Sequence, residues 1–166
     1  MEVIDTNLPE VKEFILNLTD DEKHYHDLRW NTISSVAIFV RGYRVDGTLV
    51  GIAGVFRQHV IAYSPFYMVK EAYWNKGIGT QMVEDCSTWA KEHHLPYTII
   101  KYFPENTRIV SVLKKVGVGD GTRIGDSCYI VTPTTWKTPI LFLIRCHEAF
   151  DRMVGIRLSS VLKVSK

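Results

Sequence analysis

Cysteine is scarce in this chain: Cys86, Cys128 and Cys146 are the only three in 166 residues. Three thiols cannot all pair within one chain, and none stands at zinc-ligand spacing from another, so reduced, buried thiols are expected instead of a disulfide framework or a metal site. An excess of charge is also missing. Twenty Lys and Arg against eighteen Asp and Glu leave a net charge of +2, without the clustered basic face that tracking a phosphate backbone requires, so no nucleic-acid partner is expected. Long apolar runs are absent too. The longest near the end, Ile140 to Ile144, is far too short to span a bilayer, and the acidic MEVIDTNLPEVKEF start does not read as a signal peptide. The expectation is a cytoplasmic protein with no membrane partner. There is no internal repeat, low-complexity segment or linker, and 46% hydrophobic residues suffice for an ordinary core. A single domain over 1–166 is expected.

What is present is an alternation of helical and extended patterns. Val11, Phe14, Ile15 and Leu18 recur at helical spacing from Leu8 to Leu18. Thr19-Asp20-Asp21-Glu22 has the form of a capping box, which predicts a second helix carrying His24 to Trp30. Val36 to Val45 and Leu49 to Phe56 are rich in β-branched and aromatic residues, with the hairpin signal Asp46-Gly47 between them, so they should be antiparallel neighbours. A third strand over Ile61 to Val69 leads into Gly77-Ile78-Gly79. A helix follows with Ile78, Met82, Cys86, Trp89 and Ala90 on one face as far as His93-His94, and Pro96 marks its exit.

Next come a strand over Tyr97 to Phe103 and a short helix capped by Asn106. Its apolar face is Ile109, Val112, Leu113 and Val116, and Gly117 is its stop. A right-handed crossover through the first of these helices would set the strands on either side parallel, within a sheet whose first members are antiparallel. The fold class is therefore mixed α/β. Beyond Gly117 the pattern predicts a strand at Cys128 to Thr132, a loop between Pro133 and Pro139, a last strand over Ile140 to Ile144, and a C-terminal helix over 147–166.

A strand, a glycine turn and a helix in succession offer backbone N–H groups to an anion, because the first helical amides lack intrahelical partners and sit at the positive end of the dipole. Two common phosphate motifs do not apply. The dinucleotide fingerprint needs a third glycine where Met82 stands, and the P-loop needs a lysine and a hydroxyl where Thr80-Gln81 stand.

Val69-Lys-Glu-Ala-Tyr-Trp-Asn-Lys-Gly77-Ile-Gly79-Thr resembles the acyl-CoA pyrophosphate loop of the GNAT superfamily of N-acetyltransferases. That pattern is a valine, four residues, Gln or Arg, two residues, Gly, one residue, then Gly or Ala. The Gln/Arg position is Trp74 here. Asn106-Thr-Arg-Ile109-Val-Ser-Val112-Leu113-Lys-Lys-Val116-Gly117-Val118 is similar to the family's second signature. The resemblance implies a GNAT-like fold, with a central mixed sheet flanked by helices whose parallel strands splay apart after a bulge. It also implies an N-acetyltransferase that uses acetyl-CoA as co-substrate and needs no metal. The cofactor would be held by the backbone of Met68 and Val69, by the turn Trp74, Asn75, Lys76, Gly77, Ile78, Gly79 and Thr80, and by Asn106 facing the pantetheine arm. An isolated glycine pair, or an Asn that only caps a helix, would need no ligand at all.

The family often protonates the leaving thiolate from a tyrosine in the second signature, at the position of Leu113 here. Tyr102 and Tyr67 are the candidate substitutes, each equally at home as ordinary sheet packing. His59 is a candidate base that reads more simply as surface, Glu71 reads as a solvated charge, and His24 and His26 point apart on the predicted helix, so no metal is expected there. The acceptor would be a small-molecule or peptide amine. Asp20, Asp21, Glu22 and Asp27 either attract it or merely favour a helix N-terminus. A non-catalytic acyl-CoA-binding module is the competing function, and the C-terminal helix leaves a homodimer open.

Overall fold

The computed structural model describes residues 1–5, 8–18, 37–58, 62–132 and 137–154. The predicted second helix, with its capping box, His24, His26 and the acidic residues, lies outside them, as do His59 and the chain beyond Val154.

Strand β1 (Glu2–Asp5) precedes helix α1 (Leu8–Leu16), and then come β2 (Ala37–Val45), β3 (Thr48–Gln58) and β4 (Ala62–Val69). These four strands form one antiparallel sheet in the order β1-β2-β3-β4. The Asp46-Gly47 hairpin is as expected, and both residues take positive φ. Strand β1, four residues long, was not foreseen, because so short a segment gives almost no periodic signal. Its pairing to β2 runs from Glu2↔Arg44 to Asp5↔Arg41, and Glu10 of α1 pairs with Arg44 beside it.

The sheet is covered on both faces. Val11, Phe14, Ile15 and Leu18 pack with Leu49, Ile52, Phe56, Phe66 and Met68 on one face, each such side chain contributing about 1.5–3 kcal/mol on burial. Helix α2 (Ile78–Glu92) covers the other, where Ile78, Met82 and Cys86 meet Tyr43, Val50, Ala53 and Val55. The helix is fastened by polar contacts as well: Tyr43 Oη donates to Asp85 Oδ2 at 2.7 Å and Gln81 Nε2 to Asp85 Oδ1 at 2.9 Å. Contact is closest at Gly54, where a Cβ would run into the carbonyl oxygen of Phe39 and, at 2.7 Å, the ring of Phe66. Gly54→Ala is therefore expected to destabilise the protein by about 3 kcal/mol in urea unfolding, as overpacking against rigid backbone does; a loss below about 1 kcal/mol would contradict this packing.

Strand β5 (Thr98–Tyr102), helix α3 (Thr107–Lys115), the short β6 (Thr122–Ile124), β7 (Ser127–Thr132) and helix α4 (Lys137–Val154) complete the chain. The second sheet is also antiparallel, in the order β5-β7-β6. It lies between α3, with Ile100, Leu113 and Ile130, and α4, with Ile99, Tyr129, Val131, Ile140 and Leu141.

Two expectations are corrected here. Ile140 to Ile144 is not a strand but part of α4, with Ile140 and Leu141 buried, Ile144 partly so, and Phe142 and Leu143 exposed. Five apolar residues in a row fit either element, and Pro139 sits in the first helical turn, where proline is tolerated. The C-terminal helix accordingly begins at Lys137, ten residues earlier than expected.

The mixed α/β architecture stands, while the sheet divides at its centre. Tyr63 lies beside Tyr97, and Ser64 Oγ donates to Ile99 O at 2.9 Å. Among the described residues no ladder joins β4 to β5. Pro65 removes one of the donors such a ladder would need. Within β4 it stands opposite Val55 in a β3–β4 register without shifts, so the rung lost with its missing N–H falls on the β5 side. The bulges are elsewhere, in β2 at Ile38 and in β3 at Val50, where the register with the partner strand shifts.

Candidate active site

The C-terminal half of β4 leaves the sheet with one edge uncovered. Lys70 N–H bonds to Val50 O at 2.9 Å, so the alternate residues Met68, Phe66 and Ser64 also turn their peptide groups to β3. Tyr67 and Val69 turn theirs the other way, towards the gap beside β5, and the position of Pro65 agrees with this parity. Met68 differs from its neighbours: its peptide groups face β3 and its side chain is 2% exposed in the core. The free edge therefore consists of the peptide groups of Tyr67 and the N–H of Val69, a distinction that parity along a single strand does not reveal until its partner is known.

After Val69 the chain makes a 3₁₀ turn over Glu71–Tyr73 and reverses. Trp74 closes this turn, its indole Nε1 donating to Val69 O at 2.8 Å. Asn75 and Gly77 have φ of +59° and +83°, a conformation that Asn tolerates and Gly adopts freely. Gly77 is the N-cap of α2 and brings no side-chain cap, and the first helical turn holds no acidic residue. Gln81 N–H is the first to find an intrahelical partner, Gly77 O, at 3.1 Å. The N–H groups of Ile78, Gly79 and Thr80 are left at the positive end of the helix.

A Cβ at Gly77 would meet nothing within 4 Å, whereas one at Gly79 would lie 3.4 Å from Val112 Cγ2. The two glycines thus serve different ends. Gly77 provides the backbone conformation and an open approach, and Gly79 lets α3 lie close over α2, with room for alanine as the family pattern allows. The uncapped amides, the open side of Gly77 and the missing carboxylates fit a diphosphate.

Asn106 caps α3, its Oδ1 accepting from Ile109 N–H at 3.3 Å; among the described residues its amide nitrogen has no partner. Lys76 lies over the Tyr73 ring at 4.7 Å, and the Arg108 guanidinium is stacked over the Trp74 ring at 3.3 Å. No sequence spacing signalled that last contact, since it joins the turn before α2 to the first turn of α3.

The two tyrosines are not brought together. Tyr67 points to the α2 face among Tyr43, Val69 and Cys86, and burial first, then Cys86 and Tyr43, hold its pKa well above the ordinary phenol value. Tyr102 belongs to the cluster of Leu113, Ile109 and Val118, and its hydroxyl accepts from Gly121 N–H at 3.0 Å. Its pKa is raised mainly by burial, against the lowering effect of Gly121, with Cys128 alongside. Leu113 is 1% exposed, a core residue. Cys86 is buried, which together with Asp85 pushes its thiol up to about 12, too high for a nucleophile. Among the described residues no His, Cys, Asp and Glu cluster could hold a metal, and no helix is long and apolar enough to cross a membrane.

A free strand edge running into an uncapped helix N-terminus, opposite a second strand not laddered to it, offers backbone donors and acceptors that suit an anion with an extended, amide-bearing arm. It is the architecture of an acyl-CoA-dependent acyltransferase. The chain belongs to the GNAT family: the acetyltransferase (GNAT) domain matches residues 3–118.

Solved structures share the fold at low identity. The GNAT domain of S. lividans PAT is 12% identical with a TM-score of 0.66, over 78% of this chain and 88% of that one. The ribosomal-protein-alanine N-acetyltransferase from Brucella melitensis is 13% identical with a TM-score of 0.62, over 80% and 99%. yncA from Salmonella typhimurium, whose structure holds its cofactor acetyl-CoA, is 12% identical with a TM-score of 0.62, over 79% and 92%. No curated protein matches the chain by sequence.

Proposed function

We propose that the protein moves an acetyl group from acetyl-CoA directly to the primary amine of a small molecule or peptide, both substrates being bound together. The observation that carries this is the uncapped N-terminus of α2 beside the free edge of β4. In this reading the amides from Trp74 to Thr80 hold the diphosphate, with Asn75 and Gly77 shaping the turn and Lys76 adding charge. The outward peptide groups of Tyr67 and the outward N–H of Val69 pair with the pantetheine arm and supply a donor for the carbonyl oxygen, and Asn106 meets the arm from the other side. Acetyl-CoA contributes an activated thioester. The amine nitrogen forms the new bond to the acetyl carbon and loses one proton, the C–S bond breaks, and the thiolate takes up a proton.

Tyr102 is the favoured source of that proton, because it packs with Leu113, where the family's tyrosine stands, and its hydroxyl is held by Gly121. Direct transfer is supported by the raised thiol of Cys86, which argues against an acyl-cysteine step. The protein incubated with acetyl-CoA is expected to release free thiol only when an amine from a mixed pool of acceptors is added. CoA binding without release under any amine would instead establish a sensing module.

A further inference from the structure

Position 74, where the resemblance has Gln or Arg, carries an uncharged indole, yet a guanidinium lies directly upon it. Arg108 comes from the first turn of α3, and its Cζ is 3.3 Å from the centroid of the Trp74 ring. One turn further along α3, Val112 lies over Gly79 at the start of α2. Residues four apart share a helix face with about 5–6 Å between their Cβ atoms, so Arg108 stands on Trp74 one turn from the point where α3 meets the first turn of α2. Among the described residues no carboxylate pairs with Arg108. Neither the first turn of α2 nor that of α3 holds an acidic residue.

Taking the cofactor reading above as its premise, we infer that Arg108, laid flat on Trp74, supplies the cation that meets the coenzyme's diphosphate beside the α2 amides. The chemistry suits the geometry. A planar guanidinium can stack on an aromatic face while its edge N–H groups stay free to bind phosphate oxygens two at a time, which an ammonium cannot do. Trp74 is then a positioning residue: its N–H holds the turn closed on Val69 O while its face orients Arg108. The charge lost from the loop is restored from the neighbouring helix.

Titration calorimetry with CoA, dephospho-CoA and pantetheine tests this on the full chain. Arg108 is exposed, so Arg108→Ala is expected to fold normally. It should weaken CoA and dephospho-CoA alike by about tenfold to a hundredfold, the worth of charged hydrogen bonds, and leave pantetheine unaffected. Adding Trp74→Arg to Arg108→Ala should restore most of the affinity, a rescue that a purely structural role for Arg108 would not give. Unchanged CoA affinity in Arg108→Ala, with the wild type binding well, would overturn the role of Arg108 alone. A loss for CoA but not for dephospho-CoA would overturn the diphosphate assignment in favour of the 3′-phosphate. A wild type that bound no CoA would overturn this inference and the cofactor reading together.

Discussion

Gly77→Ala is expected to lower CoA affinity by about a hundredfold while costing the ligand-free protein only about 1–2 kcal/mol. The small cost follows from the backbone: φ is +83°, which an L side chain tolerates poorly, but the added Cβ meets no protein atom within 4 Å. The large loss follows from what the open space is for. A methyl group at the rim of the cradle holds a phosphate away from the N–H groups of α2, and losing one charge-assisted hydrogen bond at about 1.5–3 kcal/mol accounts for the factor. Gly47→Ala is the control. Gly47 has φ +76° and equally empty surroundings, but it lies in the β2–β3 hairpin, so it should show the same drop in melting temperature with CoA binding intact. Gly77→Ala binding CoA as tightly as the wild type would remove the diphosphate from this turn.

Tyr102→Phe is expected to reduce kcat by about a hundredfold, the usual range for losing a general acid, with KM little changed. Tyr67→Phe should leave kcat within about threefold, because that ring faces α2 and not the gap between the sheets. The Tyr102 phenol is held above its ordinary value chiefly by burial, so it keeps its proton throughout the neutral range. Any fall in kcat at acid pH must then come from protonation of the amine or its base, and that limb should persist in Tyr102→Phe. The variant also strips Gly121 N–H of its acceptor, which should lower stability by about 1–3 kcal/mol in urea unfolding. Full turnover in Tyr102→Phe with loss in Tyr67→Phe would transfer the role to Tyr67, and full turnover in both would end the case for a tyrosine acid.

Much of the glycine turn's backbone was legible because its signals are local. Gly77 stands out as the residue that reverses φ before a helix, Asn106 as a side chain whose oxygen reaches the third helical amide, and Asp46-Gly47 as a hairpin turn; each reports on its own backbone within a few bonds. Ile140 to Ile144 was misread because a continuous apolar run has no period, and only the surface of β5 and β7 decides which residues turn inward. Strand β1 was missed because a four-residue strand exists by virtue of its partner. Met68 was grouped with the free edge because strand alternation has no origin until the β3 register supplies one.

The sequence by itself determined the order of helices and strands around the glycine turn and the opening of the α2 amides, since these follow from backbone conformation and from which side chains can cap. Tertiary structure decided the rest: that no ladder joins β4 to β5, that the peptide groups of Tyr67 and the N–H of Val69 form the free edge, and that Arg108 comes to rest on Trp74. The contacts of Ser64 with Ile99 and of Arg108 with Trp74 join residues more than thirty positions apart. They depend on how helix and sheet surfaces pack together, which no spacing along the chain encodes.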